Sequence, residues 1–209
     1  MAERSKVILA VTIILVSLGI VGGALLYSQQ ESRPRGLMQR STPRGACTLQ
    51  WSPDKLPMLI HLPEEAGLDW RVAAAAAVAE WNSLTGLQLV ELSTVESASD
   101  VKGIWHNAGE YKPSDELFQY RRVGEGQCII EQGDWHFPGL LPPEGRQRWL
   151  LHGIGHFLGL DHDNISDSVM NGAPLHFYAP FQVPPEYPAL LKTLYQDHAA
   201  AFGKGLSND

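Results

Sequence analysis

His152, His156 and His162 are the residues of this chain whose type and spacing could hold a metal ion. They stand in the run Leu151-His152-Gly153-Ile154-Gly155-His156-Phe157-Leu158-Gly159-Leu160-Asp161-His162. Residues four apart share a helical face, so His152 and His156 can aim their imidazoles at one ion. That pair alone says little, because surface helices produce it often. The residues that follow add to it. Gly159 offers the left-handed conformation that ends a helix and swings the chain back. His162 comes three residues later and can complete a trio of nitrogen ligands, and Met170 follows within Asp167-Ser168-Val169-Met170.

These residues need a helix beneath the first pair and a sheet beneath the helix. Pro142-Pro143-Glu144 is a good helix start: proline suits the first turn and an acid complements the N-terminal dipole. The helix then runs through Trp149, Leu150 and Leu151 to about Leu158. An earlier helix is predicted from Asp69, read as its cap, through the alanine-rich stretch to Leu84, where Thr85-Gly86 stops it. Trp70, Ala74, Ala77, Val78 and Trp81 fall near helical spacing and should face the sheet. Strands are predicted over 57–62, 87–92, 100–105, 120–123 and 127–131. A last helix is predicted over 187–202.

The ligand run resembles the metzincin clan of zinc peptidases, whose signature is a His-Glu helix motif, a glycine, a third His and a downstream methionine turn. Gly159-Leu160-Asp161-His162 and the step from His162 to Met170 are most similar to the matrixin family, especially its compact bacterial members. Trp81-Asn82, closing the first helix, is also similar to matrixin domains. Asp163 resembles the adamalysin branch, whose cysteine-rich surroundings are missing here. The resemblance covers about residues 47–205. It implies an α+β, zincin/metzincin-like fold: a twisted, mixed five-stranded sheet with two long helices, a methionine turn and a C-terminal helix. It further implies that His152, His156 and His162 bind one Zn²⁺ and leave a fourth position for water. Met170 would form an apolar floor beneath the metal.

The other histidines carry less. Trp135-His136-Phe137-Pro138-Gly139 resembles a segment that supplies a structural zinc ligand in animal matrixins. The rest of that ligand set is missing, so His106 and His136 read as solvated loop residues. Neither a second structural Zn²⁺ nor a Ca²⁺ is supported. His61, His176 and His198 read as structural or exposed.

Gly153 stands where the family pattern has the glutamate that activates water. Glycine inside a helix costs roughly 1 kcal/mol relative to alanine, so Gly153 does not serve the helix itself. No catalytic residue is therefore assigned. Glu110, Glu116, Glu144 and Asp161 are the acids weighed as substitutes, and none is placed beside the metal by sequence. Asn171-Gly172-Ala173-Pro174 also departs from the family's specificity-pocket wall, so no substrate preference carries over.

The 209 residues and 44% hydrophobic content allow one ordinary domain plus extras. A formal charge of -7 disfavours a general nucleic-acid partner. Residues 7–27 are an uncharged apolar run long enough to cross a bilayer, read as an N-terminal transmembrane anchor over residues 1–27 or, alternatively, a cleaved signal peptide. Residues 28–46, rich in Gln, Ser, Arg, Pro and Gly, read as a flexible tether, and residues 47–209 as the matrixin-like domain. Cys47 and Cys128 could form one disulfide in an oxidising compartment or remain buried thiols. Pro43-Arg44-Gly45-Ala46-Cys47 only partly resembles the propeptide sequence that keeps matrixins latent, and reads as accidental. The expectation is a single-pass membrane protein with an extracytoplasmic domain, or a secreted one. Its partner would be a polypeptide substrate or a protein, with hydrolysis impaired or atypical; a pseudoprotease that binds peptide without cleaving it is the alternative.

Overall fold

Met58–His61 (β4) alternates buried and half-buried side chains, the pattern of a strand inside a sheet. It pairs in parallel with Val90–Ser93 (β5) on one side and Val101–His106 (β6) on the other. Strand β6 pairs in parallel with the long strand Ile129–Pro138 (β8), from Val101 opposite Gly133 to His106 opposite Pro138. The two-residue strand Gln50–Trp51 (β3) lies parallel to the start of β8. Phe118–Val123 (β7) runs antiparallel along β8. The result is an α+β fold on a six-stranded sheet. Five strands are parallel in the order β3-β8-β6-β4-β5, and β7 is antiparallel. The sheet is thus mixed, with one strand more than the sequence predicts, because β3 is too short to show a period.

This computed structural model describes residues 36–42, 45–52, 55–107, 118–123, 128–139, 141–172 and 180–202. They all lie in one compact unit, Gly36–Asp209.

Parallel neighbours need crossovers, and Leu68–Thr85 (α1) is the one between β4 and β5. Trp70, Ala74, Ala77 and Trp81 are its buried face, as the spacing predicts, with Val78 half-buried. Asp69 is not the cap: Gly67 occupies that position without a side-chain bond. Asp69 instead pairs with Arg146 at 3.3 Å. Gly86 ends the helix in the left-handed region at φ 67°.

Pro143–Phe157 (α2) carries the first two histidines, and Glu186–Phe202 (α3) closes the described chain. Trp81 and Asn82 dock α1 onto both neighbours. The indole Nε1–H of Trp81 donates to the Leu151 carbonyl of α2 at 3.0 Å. Asn82 accepts from the Leu89 and Val90 amides at 2.9 and 3.1 Å and donates to the Val90 carbonyl at 2.8 Å. Trp135 stacks on Trp149 at 5.0 Å, and Trp70 meets Trp149 and Phe137 edge-on at 5.7 and 5.5 Å. Large aromatic contacts therefore join α2 to both the sheet and α1.

The stretch read as a tether is ordered in its described part. Gln39–Thr42 (β1) and Gly45–Thr48 (β2) pair as an antiparallel hairpin. The Met38 amide donates to the Gly159 carbonyl at 2.7 Å and the Asp161 amide to the Gly36 carbonyl at 2.9 Å. Cys47 is joined to Cys128 by a disulfide, tying the hairpin to the start of β8.

The expectation of a single-pass membrane protein is corrected. Among the described residues no helix is long and apolar enough to cross a membrane. The longest described, α1, carries Asp69, Arg71 and Glu80, and its apolar face is buried against the core. Residues 7–27, which carried the expectation, lie outside the described residues.

Candidate metal centre

Helix α2 is buried on all sides towards its end: every residue from 148 to 160 is buried, including Gly153. Two histidines in such a place must satisfy their polar atoms, since an unpaired buried nitrogen is costly. Each does so through Nδ1. His152 Nδ1 lies 2.8 Å from the Val169 carbonyl, and His156 Nδ1 lies 2.8 Å from the Leu160 carbonyl. A carbonyl oxygen only accepts, so both rings carry their proton on Nδ1 and present a bare lone pair on Nε2.

Those lone pairs face one another. The Nε2 atoms of His152 and His156 are 3.0 Å apart, those of His156 and His162 are 3.1 Å apart, and those of His162 and His152 are 3.3 Å apart. Burial pushes the His152 pKa down to about 4, opposed by its bond to Val169 and reinforced by the nearby His162. Burial likewise holds His156 well below its ordinary value, with His152 and His162 adding to the effect. Neutral His152 and His156, whose protons go to carbonyls, cannot bridge the gap between them with a hydrogen bond. The three histidines could hold a cation. Ligand nitrogens on a tetrahedral zinc stand about 3.3–3.4 Å apart, close to the spacings seen here.

Gly159, at φ 99°, makes the turn that returns the chain to His162, and a β-carbon there would lie 2.5 Å from the Leu49 carbonyl oxygen. Met170 is wholly buried beneath the trio's helix against Gly155, where a β-carbon would lie 2.6 Å from its sulfur.

Asp163, the residue after the third histidine, organises the loop. Its carboxylate accepts from the Ser168 and Tyr187 hydroxyls and, at 3.0 Å, from the Ile165 amide. The Ser168 hydroxyl in turn accepts from the Met170 amide at 3.0 Å. Buried Arg148, one helical turn before His152, donates to the Ser168 carbonyl at 2.7 Å. Burial lowers its pKa, while the charges of Asp163 and Asp167 oppose that shift. Burial and the bond to Asp163 both raise the Tyr187 pKa above its ordinary value, so the phenol stays a neutral donor.

Other candidates fall elsewhere. Asp161 is exposed, and its carboxylate accepts from the His162 backbone amide at 2.8 Å. Cys47 is bonded to Cys128, so its sulfur offers no thiolate. His106 Nε2 lies 2.7 Å from His136 Nδ1 on adjacent strands, and both rings are half-buried rather than solvated loop residues. Among the described residues neither belongs to a three-ligand cluster. His61 contacts the Ser93 carbonyl at 3.2 Å. Glu110, Glu116, His176, Ala173 and Pro174 lie outside the described residues, as do the side chains of Glu144 and His198.

Sequence reasoning missed Arg148, Ser168 and Tyr187. Only Arg148 left a trace there, as a charge at i−4 to a ligand within an otherwise apolar helix turn. No protein-family model and no curated protein matches the chain.

Proposed function

We propose that this is a zinc-binding, matrixin-like protein of metallopeptidase fold that acts on polypeptides, with hydrolysis impaired or atypical because Gly153 stands at the general-base position. The observation that carries the reading is the convergence of three Nε2 atoms within 3.3 Å, two of them on buried rings locked by carbonyls. Neutral imidazole nitrogens favour zinc over calcium or magnesium, which take oxygen ligands. The glycine turn at Gly159 and the buried Met170 support the metzincin resemblance.

Zinc at such a site supplies Lewis acidity, polarising a carbonyl and making water a better nucleophile. The chain's own residues hold the site's shape: the Val169 and Leu160 carbonyls orient two rings, and Met170 packs beneath their helix. Gly153 can neither take nor return a proton. Loss of a positioned base lowers rate by about 10²–10⁴-fold.

A second reading is favoured by the same glycine: a pseudoprotease that uses its site to bind peptide or protein without cleaving it. The intact trio and the wholly buried Met170 are what such a binding module would retain. One comparison separates the two. Zinc content and peptide hydrolysis are measured on the full chain and on Gly153→Glu. A large gain in the variant over a natural chain with no measurable hydrolysis supports a binding module whose catalytic geometry survives, and a gain over measurable hydrolysis supports the impaired enzyme. Comparable hydrolysis in both means that another group supplies the base. Absence of bound zinc in both removes both readings.

A further inference from the structure

We propose that Tyr187 is a positioning residue for the metal centre, holding the third-ligand loop in place through Asp163. The inference rests on reading the histidine trio as a metal site.

The three ligands are not held alike. His152 and His156 sit on buried helix α2, each with Nδ1 fixed by a carbonyl. His162 is exposed and lies on a loop, and among the described residues its Nδ1 has no hydrogen-bond partner. Metal-binding histidines usually gain their orientation from such a partner. The direction of the His162 ring must therefore come largely from its backbone and immediate neighbours.

That backbone is fixed at Asp163. The Asp163 amide donates to the Met170 carbonyl at 3.1 Å, which ties the third-ligand loop to the methionine turn. Its side chain gathers Ser168 and the Ile165 amide from the same loop. The Tyr187 hydroxyl adds a hydrogen bond from outside the loop, brought by the first turn of α3. It is the bond that anchors the loop to a helix which carries no ligand. Without it the carboxylate loses its hydrogen bond from α3 and keeps Ser168, the Ile165 amide and the nearby charge of Arg148, and His162 gains freedom that metal binding must remove.

The test uses the full chain. Zinc affinity is measured by competition with a chromophoric chelator, and ligand geometry by the visible absorption of the Co²⁺-loaded protein. Tyr187→Phe keeps the buried ring and removes only the hydroxyl. It is expected to weaken zinc binding about tenfold or more and to alter the Co²⁺ band intensity. Tyr195→Phe is the matched control, since that hydroxyl, also on α3, donates to the Leu158 carbonyl and accepts from the Trp51 amide. It should leave affinity and spectrum close to wild type. Asp163→Ala should reproduce the loss, and the double variant should add little to it. Wild-type affinity and spectrum in Tyr187→Phe overturn the inference, as does an equal loss in Tyr195→Phe or full additivity in the double variant. Failure of the wild-type chain to take up zinc overturns the metal reading itself, a result distinct from these.

Discussion

Gly155 and Met170 touch so closely that a β-carbon on residue 155 would stand 2.6 Å from the methionine sulfur. The absent side chain lets Met170 press against the helix that carries His152 and His156. Gly155→Ala should regain roughly 1 kcal/mol of helix propensity and lose about 1–3 kcal/mol to overpacking. The expected outcome is a net loss of up to about 2 kcal/mol in denaturant unfolding at an unchanged m-value. A more stable variant would mean that Met170 yields freely and is no rigid floor.

Removing any one imidazole should release the metal. His152→Ala, His156→Ala and His162→Ala are each expected to lose stoichiometric zinc after dialysis, as read by atomic absorption. The two buried positions should also lower stability without metal by about 1–3 kcal/mol, because each leaves a carbonyl without its donor. His162→Ala should spare metal-free stability, since that ring is exposed. Its zinc-dependent gain in melting temperature should disappear.

Metal-free protein should be acid-sensitive in a defined window. The unfolded chain protonates His152 near the ordinary pKa of about 6.5, whereas the folded chain resists until about 4. Stability from this group is therefore present above about pH 6.5 and is lost as pH falls towards 4. The shift corresponds to a loss on the order of 3 kcal/mol, with His156 acting in the same direction. Urea midpoints measured between pH 8 and 4 in the presence of chelator check this. A flat profile across that window would refute it.

Breaking the Cys47–Cys128 bond should loosen the hairpin, whose preceding residues Gly36 and Met38 bond to the turn between His156 and His162. The bridge spans 81 residues, and a disulfide closing so long a loop stabilises by about 2–4 kcal/mol. Cys47→Ser with Cys128→Ser, or reduction of the natural protein, should lower the unfolding midpoint accordingly. Hydrogen exchange at Met38 and Asp161, whose amides bond across that junction, should accelerate most.

Much of the site was legible before any coordinates. Residues four apart share a helical face whatever surrounds them, so His152 and His156 announce their pairing locally. Gly159 announces the helix end because a left-handed residue is needed there, and His162 follows from that turn. Strands β4, β5 and β6 and the burial of Trp70, Ala74, Ala77 and Trp81 follow from periodicity. The identification of Asp69 as a cap failed because propensity near a helix start cannot say which residue starts it.

Other features had no local signal. Strand β3 has two residues and exists only because Ile129 and Ile130 lie beside it. Residues 36–42 read as a tether because their composition is polar, yet Gly36 and Met38 are held by backbone bonds to Asp161 and Gly159. Composition cannot report backbone partners far along the chain. Tyr187 and Asp163 are 24 residues apart, and nothing in either neighbourhood predicts that they meet.

The amino-acid sequence alone determined the three histidines, their spacing and the turn between them, because these depend on side-chain chemistry and short-range helix geometry. Only the tertiary structure decided that three Nε2 atoms converge, that carbonyls hold the opposite edges of two rings, and that the last helix bonds to the loop of the third. Those outcomes depend on burial and strand register, which many distant residues set together.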